Sequence, residues 1–401
     1  MDKKLLKKYV NLDYFEIPEK GFKSKFLAFK YHSTYIKLTP MLSELFICNK
    51  TSPYDKILLT NSIVGNYVYM KDSVVEKLYR NEFSDEELKD LRKSINRLQT
   101  YFISIVMFPE RHMTVFGDFQ KIPRIITDFI YKLKFEHINF VNLIGSYFIE
   151  PIWIDNDRMC TTKIDSRFSL KDYHTIKITL EEFNTEFNKY IPSSASIYSK
   201  KYPVFVRGNK LAEHFERVFY ICPHCKNFLQ LYSEYCCIKC KDCGSAFEFT
   251  ENYEINLTNN FKNLDEAKNF QYSYLSSLKQ TESKLFTYKD ITFSENEMVT
   301  KNTIDLIIYQ TKLYFEYYGG KIDLSFDDIE DIFLSYDNTL HIKIKNIKDY
   351  YIFRGLKNEN LYIIVDLVDI YKKNKPAEIK QPTETTESSK IIEETDNTDL
   401  I

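Results

Sequence analysis

The stretch LFICNKTSPYDKILL, residues 45–59, joins a short apolar run to a polar loop. The run Leu45–Cys48 has the length and composition of a buried strand, and the loop after it reads NKTSPYD and ends at Asp55. A second apolar run, Ile103–Met107, also predicts a buried strand and leads into the residues FPE, which end at Glu110. Each of the two predicted strands is therefore followed by a polar loop. These two loops are the basis for predicting the fold class of the N-terminal part of the chain.

The two loops resemble the active-site motifs of the glycerolipid acyltransferase family, whose members acylate lysophosphatidate. In that family one strand leads into the pattern N-H-x-S-x-x-D and a second strand leads into F-P-E-G. In this chain Lys50 stands at the position of the catalytic histidine, and Asp55 stands at the position of its aspartate. The resemblance implies an α/β acyltransferase fold and transfer of an acyl group from acyl-CoA or acyl-carrier protein to the hydroxyl of a lysophospholipid.

The lysine changes the expected chemistry. A histidine can take the proton of an attacking hydroxyl at neutral pH, and a carboxylate beside it steadies the imidazolium. A lysine ammonium keeps its proton unless burial is severe, and a neighbouring carboxylate such as Asp55 opposes its loss. Two hypotheses follow: an active enzyme in which Asp55 orients another base, such as His112, or a pseudoenzyme that binds a lipid or an acyl donor and uses Lys50 as a fixed cation.

The second loop continues from Glu110 into Arg111 and His112, where the family usually has glycine first. The resemblance implies that Glu110, Arg111 and His112 shape the site for the substrate phosphate. Arg111 supplies a cation there, but it lacks the freedom of glycine to bring the backbone close to an anion. Arg80 is a weak candidate for the glycine and arginine motif that the family carries between the two loops.

Six of the eight cysteines lie between residues 222 and 243. Cys222 and Cys225 form one CxxC knuckle, Cys240 and Cys243 form a second, and the spacing is that of a structural zinc ribbon with four cysteine ligands. The sequence leaves open whether Cys236 or Cys237 replaces Cys240 as a ligand.

The composition of the chain limits its function classes. With 401 residues, 44% hydrophobic and 28% charged, the chain predicts two or three globular units. A net charge of −2 argues against a nucleic-acid partner, and only 9 glycines argue against glycine-rich nucleotide loops. An interaction module built on the zinc ribbon is a further hypothesis, disfavoured by the mixed charge of the ribbon.

The sequence shows no apolar stretch long enough to span a bilayer and no secretory signal. We therefore expect a cytoplasmic protein, peripheral to the inner face of the cell membrane. Residues 1–32 contain eight lysines among apolar side chains. Such a segment is typical either of contact with an anionic membrane surface or of a solvated terminal helix.

Four regions are expected along the chain: an acyltransferase-like domain (1–195), a linker helix with the zinc ribbon (196–255), a small β-rich domain (256–374) and a disordered tail (375–401). The boundary near 195 rests on the PSSAS run at 192–196. Residues 205–225 resemble a segment that follows the acyltransferase domain in a bacterial subset of the family, where a helix leads into the C-P-x-C knuckle. Capping boxes at Ser84 and Thr179 predict two helices, and a strand is predicted over Tyr173–Ile178.

The third region is expected to begin with a helix at 260–282 and to end with one at Asn358–Tyr371. Between them the patterns predict five strands, with a hairpin turn at Gly319 and Gly320: Thr303–Tyr309, Lys312–Tyr317, Lys321–Phe326, Leu340–Lys345 and Tyr350–Phe353. Strands closed by one C-terminal helix resemble a pleckstrin-homology-like barrel, an analogy of shape that implies no ligand.

Overall fold

The computed structural model describes residues 11–18, 36–39, 41–119, 121–155, 158–171, 173, 178–191, 194–195, 204–250, 255–256, 261–278, 284–295, 302–347, 349–355 and 359–374. Most of the basic segment 1–32, the middle of the strand predicted over Tyr173–Ile178, most of the boundary run 192–196 and the tail 375–401 lie outside the described residues. The described part is a mixed α/β structure with several separate sheets.

The first third of the chain builds one sheet and its covering helices. The elements in chain order are β1 (Phe15–Glu16), β2 (Ile36–Lys37), β3 (Leu45–Cys48), α1 (Asp55–Ser62), β4 (Ile63–Val64), β5 (Tyr67–Met70), α2 (Asp72–Tyr79), α3 (Asp85–Thr100), β6 (Ser104–Met107), α4 (Arg124–Lys132), β7 (His137–Ile144), β8 (Met159–Cys160), β9 (Lys163–Lys171) and α5 (Leu180–Lys189).

The main sheet has the strand order β1-β5-β6-β3-β7-β9. Its four central strands are parallel, and the edge strands β1 and β9 run antiparallel to them. Every residue of β3 and β6 is buried, which is the pattern of strands covered on both faces. Because β3 and β6 are neighbours with Ile47 opposite Met107, the loops that follow them meet at one edge of the sheet.

The two faces of this sheet have different partners. Leu45 and Ile47 of β3 point to a cluster that contains the buried faces of α2, α3, α4 and α5. Phe46 and Cys48 point to a smaller cluster with Leu59 of α1. The capping boxes predicted at Ser84 and Thr179 are both present, so these two helices begin where the sequence indicates.

The segment between the first sheet and the first cysteine knuckle differs from the prediction. The linker helix expected in 205–225 is replaced by the short strand β10 (Val206–Arg207) and a single 3-10 turn, Phe215–Arg217. His214 adopts a left-handed conformation with φ 60° and donates its backbone N–H to Ser233 Oγ, while the N–H of Ala212 binds the carbonyl of Tyr235. These N–H groups are bonded to another segment, so a continuous α-helix does not form.

The remaining elements form a ribbon and a β-rich region. They are β11 (Leu231–Glu234), β12 (Cys237–Cys240), β13 (Ala246–Phe249), β14 (Ile255–Asn256), α6 (Leu264–Ser277), β15 (Lys284–Ser294), β16 (Asn302–Tyr309), β17 (Lys312–Tyr317), β18 (Gly320–Ser325), β19 (Ile329–Ser335), β20 (Thr339–Ile344), β21 (Tyr350–Arg354) and α7 (Tyr362–Asn374). Strands β11 to β14 pair in sequence order, and strands β15 to β21 form an antiparallel sheet of order β18-β17-β16-β15-β21-β20-β19.

The five strands predicted for this region are present within one residue at each end, the hairpin turn lies before Gly320, and two further strands were missed. In β15 the alternation of polar and apolar residues is broken at Asp290, which has φ 57° at a register shift. In β19 a register shift follows Ile329, and the acidic pair Glu330 and Asp331 hides the strand pattern. The final helix begins at Tyr362, four residues later than predicted.

A single hydrophobic cluster extends from Phe116 to Ile370. It contains side chains that precede the predicted boundary at 195, such as Trp153, together with residues of the ribbon, the C-terminal sheet and α7. The C-terminal regions therefore share their core with the end of the first region. Within the described residues, no helix combines the length and apolar character that crossing a bilayer requires.

Candidate functional site

The loop after β3 is held from inside by Asp55, the first residue of α1. The Asp55 carboxylate accepts hydrogen bonds from the backbone N–H of Thr51 at 2.6 Å and of Ser52 at 2.9 Å. The hydroxyl of Thr51 lies 3.1 Å from the same oxygen and 2.7 Å from Ser146 Oγ, in the Gly-Ser-Tyr segment after β7. Burial raises the pKa of Asp55 to about 6, against the opposing effect of these hydrogen bonds. Asp55 therefore shapes the loop with its carboxylate.

Lys50 lies beside two other carboxylates. Its backbone N–H donates to Glu110 Oε2 at 2.5 Å, which joins the loop after β3 to the loop after β6. Its ammonium group lies 3.1 Å from Asp72 Oδ2, at the start of α2. The sequence led us to expect Lys50 beside Asp55; the structure pairs it with Asp72, because the Asp55 carboxylate is turned into the loop.

Glu110 is the most unusual acid of the site. It is 5% exposed, and its second oxygen, Oε1, has no hydrogen-bond partner among the described residues. Burial, and secondarily the charge of Asp55, raise the pKa of Glu110 to about 8, so its carboxyl is mostly protonated at neutral pH. The Nδ2 atom of Asn49, in the neighbouring loop, is likewise buried without a partner in the described part of the chain. A buried amide nitrogen and a buried carboxyl oxygen thus lie unsatisfied in the two motif loops, which is expected where a polar ligand binds.

The two basic residues that follow Glu110 contact the C-terminal sheet. Arg111 Nη2 lies 3.0 Å from Asp331 Oδ2, and His112 Nε2 lies 3.2 Å from the same oxygen. The His112 ring stacks on Phe333 with 3.8 Å between ring centres. Arg80 and Arg111 both donate to the hydroxyl of Tyr350. The structure thus brings Arg111 and His112, which the resemblance assigns to the phosphate site, together with Arg80, the weak candidate for the glycine and arginine motif.

A cavity of about 680 Å³ lies beside this cluster. It is bounded by the loop after β6, by α6 and α7 and by β19. Its charged side chains are largely paired with each other: Lys268 lies 2.7 Å from Asp118, and Lys373 lies 2.8 Å from Asp369. Four lysines and arginines and five acids line the cavity, so its lining has no net excess of cations.

Four cysteines form the second candidate site. The sulfurs of Cys222, Cys225, Cys240 and Cys243 all lie within 4.8 Å of one another, and the pairs Cys222–Cys243 and Cys225–Cys240 are each 3.7 Å apart. A tetrahedral site with metal–sulfur bonds of about 2.3 Å separates its sulfurs by about 3.8 Å. The four cysteines are therefore arranged to bind a metal ion such as zinc, and this cluster contains Cys240, with neither Cys236 nor Cys237.

The two knuckles have the same backbone form. In the first, the N–H of Lys226 binds the carbonyl of Cys222, and in the second the N–H of Gly244 binds the carbonyl of Cys240. Both N–H donors are left-handed, with φ 64° at Lys226 and 71° at Gly244. Glycine reaches this conformation without strain, whereas a lysine does so only when the surrounding structure holds it.

Comparison with known proteins does not assign the chain to a family. No protein-family model matches the chain, and no curated protein matches it. Among solved structures, 34 chains match. One is the C-terminal domain of an unknown protein from Leishmania infantum, with 15% identity and a TM-score of 0.18, covering 26% of this chain and 94% of that one. Another is the hSac2 domain of the human phosphoinositide phosphatase Sac2, with 16% identity and a TM-score of 0.18, covering 26% of this chain and 80% of that one. At this TM-score neither supports an argument about function.

Sequence reasoning missed several residues of the first site. Asp72 pairs with Lys50, Asp331 pairs with Arg111, and Tyr350 is the hydroxyl shared by the two arginines. Glu76 also forms ion pairs with both arginines. Asp72 opens a helix immediately after the buried strand β5, a place where a carboxylate could have been sought. Asp331 and Tyr350 lie more than 200 residues beyond the loop, in strands with no motif, so no local signal pointed to them.

Proposed function

We propose that the first sheet is a glycerolipid acyltransferase-like domain that binds a phosphorylated lysolipid and lacks the acid–base chemistry of the active family. The observation that supports this proposal best is the contact between the two motif loops, in which the backbone N–H of Lys50 donates to Glu110. The motifs lie more than 50 residues apart in the sequence and follow two adjacent parallel strands, the arrangement that the resemblance implies.

The proposal of binding without transfer rests on the surroundings of Lys50. Its side-chain nitrogen is paired with Asp72, and an ammonium group has no lone pair with which to accept the proton of a hydroxyl. The Asp55 carboxylate is engaged with backbone N–H groups of its own loop. His112 is stacked on Phe333 and bonded to Asp331. Each group that the family motif would use for proton transfer has a structural partner here.

The ligand class follows from the charges. Arg80, Arg111 and His112 converge at the loop after β6, and arginine guanidinium groups bind phosphate oxygens with two donors at once. A glycerol phosphomonoester carrying one acyl chain, such as lysophosphatidate, combines this headgroup with the apolar chain of a membrane lipid. We include peripheral contact with an anionic membrane surface in the proposal, and also a structural zinc ion in the four-cysteine site and a pleckstrin-homology-like shape for the C-terminal sheet.

Active acyl transfer is a second candidate function, and one observation favours it. Glu110 has a buried oxygen without a partner in the described residues, and its pKa of about 8 would make its ionised form a stronger base than an ordinary carboxylate. In that case the acyl donor is acyl-CoA or acyl-carrier protein, and the rate rises with pH to a plateau above about 8. Asp55 would then orient the loop, and Arg111 would hold the phosphate.

The experiment is an acyl-transfer assay on zinc-loaded protein, with lysophosphatidate and either acyl-CoA or acyl-carrier protein. The native chain is compared with Lys50→His, Asp55→Ala and Glu110→Gln, and Lys56→His is the matched control because Lys56 also pairs with Asp72. We expect lysophosphatidate to bind the native chain without product formation, and any gain of transfer to be confined to Lys50→His.

Two results would change the conclusion. Product formed by the native chain and lost in Glu110→Gln would establish the second candidate. Absence of both transfer and lysophosphatidate binding would reject both candidates.

A further inference from the structure

The C-terminal sheet covers the candidate phosphate site with a small group of contacts, which we call the seam. The seam consists of the side chains Arg80, Arg111 and His112 from the first region and Asp331, Phe333 and Tyr350 from the C-terminal sheet. His112 and Asp331 are 219 residues apart in the sequence, so the seam joins distant parts of the chain.

The Asp331 carboxylate has the contacts that a bound anion would have. Its Oδ2 atom lies within 3.2 Å of nitrogens of Arg111 and His112 and 3.5 Å from the hydroxyl of Tyr350. Burial opposes ionisation of Asp331, but the hydrogen bond from His112 and the charges of Arg111 and Arg80 outweigh it and hold its pKa below the usual range. Asp331 therefore remains a carboxylate at neutral pH and pairs with Arg111, whereas Arg80 pairs with Glu76 and Glu82.

Some buried hydrogen-bond donors at the seam have no partner within the described part of the chain. The Nε atoms of Arg80 and Arg111 and the hydroxyl of Tyr79 are buried and have no hydrogen-bond partner among the described residues. The carboxylates at these arginines, Asp331 together with Glu76 and Glu82, leave both Nε donors without a partner in the described residues. A phosphomonoester offers three oxygens and a larger negative charge than a carboxylate. The cavity of about 680 Å³ next to the seam also shows that the two regions are not closely packed there.

We propose that Asp331 is an internal competitor, whose carboxylate occupies the phosphate position of the site and must be displaced when a phosphorylated ligand binds. This inference rests on the proposed function, because it assigns the same site a phosphomonoester ligand. Binding of the phosphorylated ligand and formation of the seam contacts of Asp331 then oppose each other. Each must weaken the other by the same factor.

The test measures the affinity of the full chain for glycerol 3-phosphate and for lysophosphatidate by titration calorimetry. The variants are Asp331→Asn, which keeps the shape of the side chain and removes its charge, and Tyr350→Phe, which removes the shared hydroxyl. Asp323→Asn is the matched control, since Asp323 lies in the same sheet and pairs with the exposed Lys312. Arg111→Gln tests the cation, and the melting temperature of each variant confirms folding.

We expect Asp331→Asn to bind the phosphomonoesters about tenfold more tightly than the native chain, and Tyr350→Phe to change affinity in the same direction by less. Asp323→Asn should match the native chain, and Arg111→Gln should lose binding. If Asp331→Asn binds only lysophosphatidate more tightly than the native chain does, the ligand is the lipid. If its affinity for glycerol 3-phosphate rises by the same factor, the phosphorylated headgroup alone is recognised.

Equal affinities of the native chain and Asp331→Asn would overturn this inference and leave the proposed function intact. No binding by any variant would overturn both. Hydrogen exchange at residues 108–115 and 329–335 provides a second measurement. Ligand should speed exchange in 329–335 of the native chain, and slower or unchanged exchange there would contradict displacement of Asp331.

Discussion

At Glu110 the structure buries a carboxyl group whose ionisation costs stability. Its pKa is about 8 in the folded chain and about 4.5 ordinarily, so between these values the folded state holds a proton that the unfolded state has released. The stabilising effect of the protonated group is complete below about pH 4.5 and is lost as pH rises through 8. Asp55 acts in the same direction between about 4 and 6.

The variant Glu110→Gln isolates this effect. Within pH 5 to 8 we expect the native chain to lose up to about 1.4 kcal/mol of stability per pH unit through this group, and the variant to show a flatter dependence. Urea unfolding at several pH values measures the difference. Parallel curves for the two proteins would show that Glu110 is ionised in the folded state at neutral pH.

Asp55 is predicted to be structural as well as part of a motif. Replacing it by alanine leaves the buried N–H groups of Thr51 and Ser52 without their acceptor, which should cost about 1 to 3 kcal/mol of unfolding free energy. Asp72→Ala is the control, because this half-exposed acid makes ion pairs at the surface and its loss should cost about 0.5 kcal/mol. Chemical denaturation compares the two, and equal losses would contradict the role assigned to Asp55.

The sequence singles out candidate residues of this site by their motifs and does not indicate their partners. The loop residues Lys50, Asp55 and Glu110 were singled out because two motifs follow two apolar runs. Their actual partners could not be read from those motifs, since the direction of the Asp55 side chain depends on loop geometry. Asp331 could not be predicted, because it meets Arg111 and His112 only when the whole C-terminal sheet has folded.

At the scale of elements, prediction succeeded where a local signal was complete. The capping boxes at Ser84 and Thr179 and the hairpin at Gly320 combine residue type and spacing, and each gave the start or the turn of an element. It failed where one residue broke the alternation, as at Asp290 in β15, or where distant hydrogen bonds replaced local ones, as at His214.

The cysteine knuckles allow a test with a close control. Cys243→Ser removes one sulfur of the four-cysteine cluster and should abolish stoichiometric zinc binding and lower the melting temperature. Cys237→Ser changes a neighbouring cysteine outside the cluster and should retain the metal. The zinc content per chain after gel filtration measures metal binding by both variants. Loss of zinc in Cys237→Ser would indicate that Cys237 belongs to the set of metal ligands.

At the scale of the whole molecule, Trp153 connects the ribbon with the end of the first region. It is fully buried and lies 5.1 Å from the ring of Phe215, which lies 4.9 Å from that of Phe249 in the ribbon strand β13. The separate regions expected from the sequence did not predict this shared core, because the spacing of motifs carries no information about which apolar faces pack together.

Trp153 is the one tryptophan of the chain, so its fluorescence reports on this core. Removing the metal with a chelator should loosen Phe249 and Phe215 and shift the emission of Trp153 to longer wavelength. Added zinc should reverse the shift. In Cys243→Ser the chelator should have no further effect, and an unchanged spectrum in the native chain would indicate a ribbon that unfolds independently of this core.

The cluster from Phe116 to Ile370 also bears on how the chain is made. A ribosome adds about 5 to 20 residues per second, so Trp153 and its neighbours emerge roughly 10 to 40 s before α7 is complete. During that interval a large apolar surface is exposed on a nascent chain whose first sheet can already pair its strands. Synthesis of this protein should therefore depend on chaperones that bind nascent polypeptides, and slowing translation late in the message should increase its aggregation in the cell.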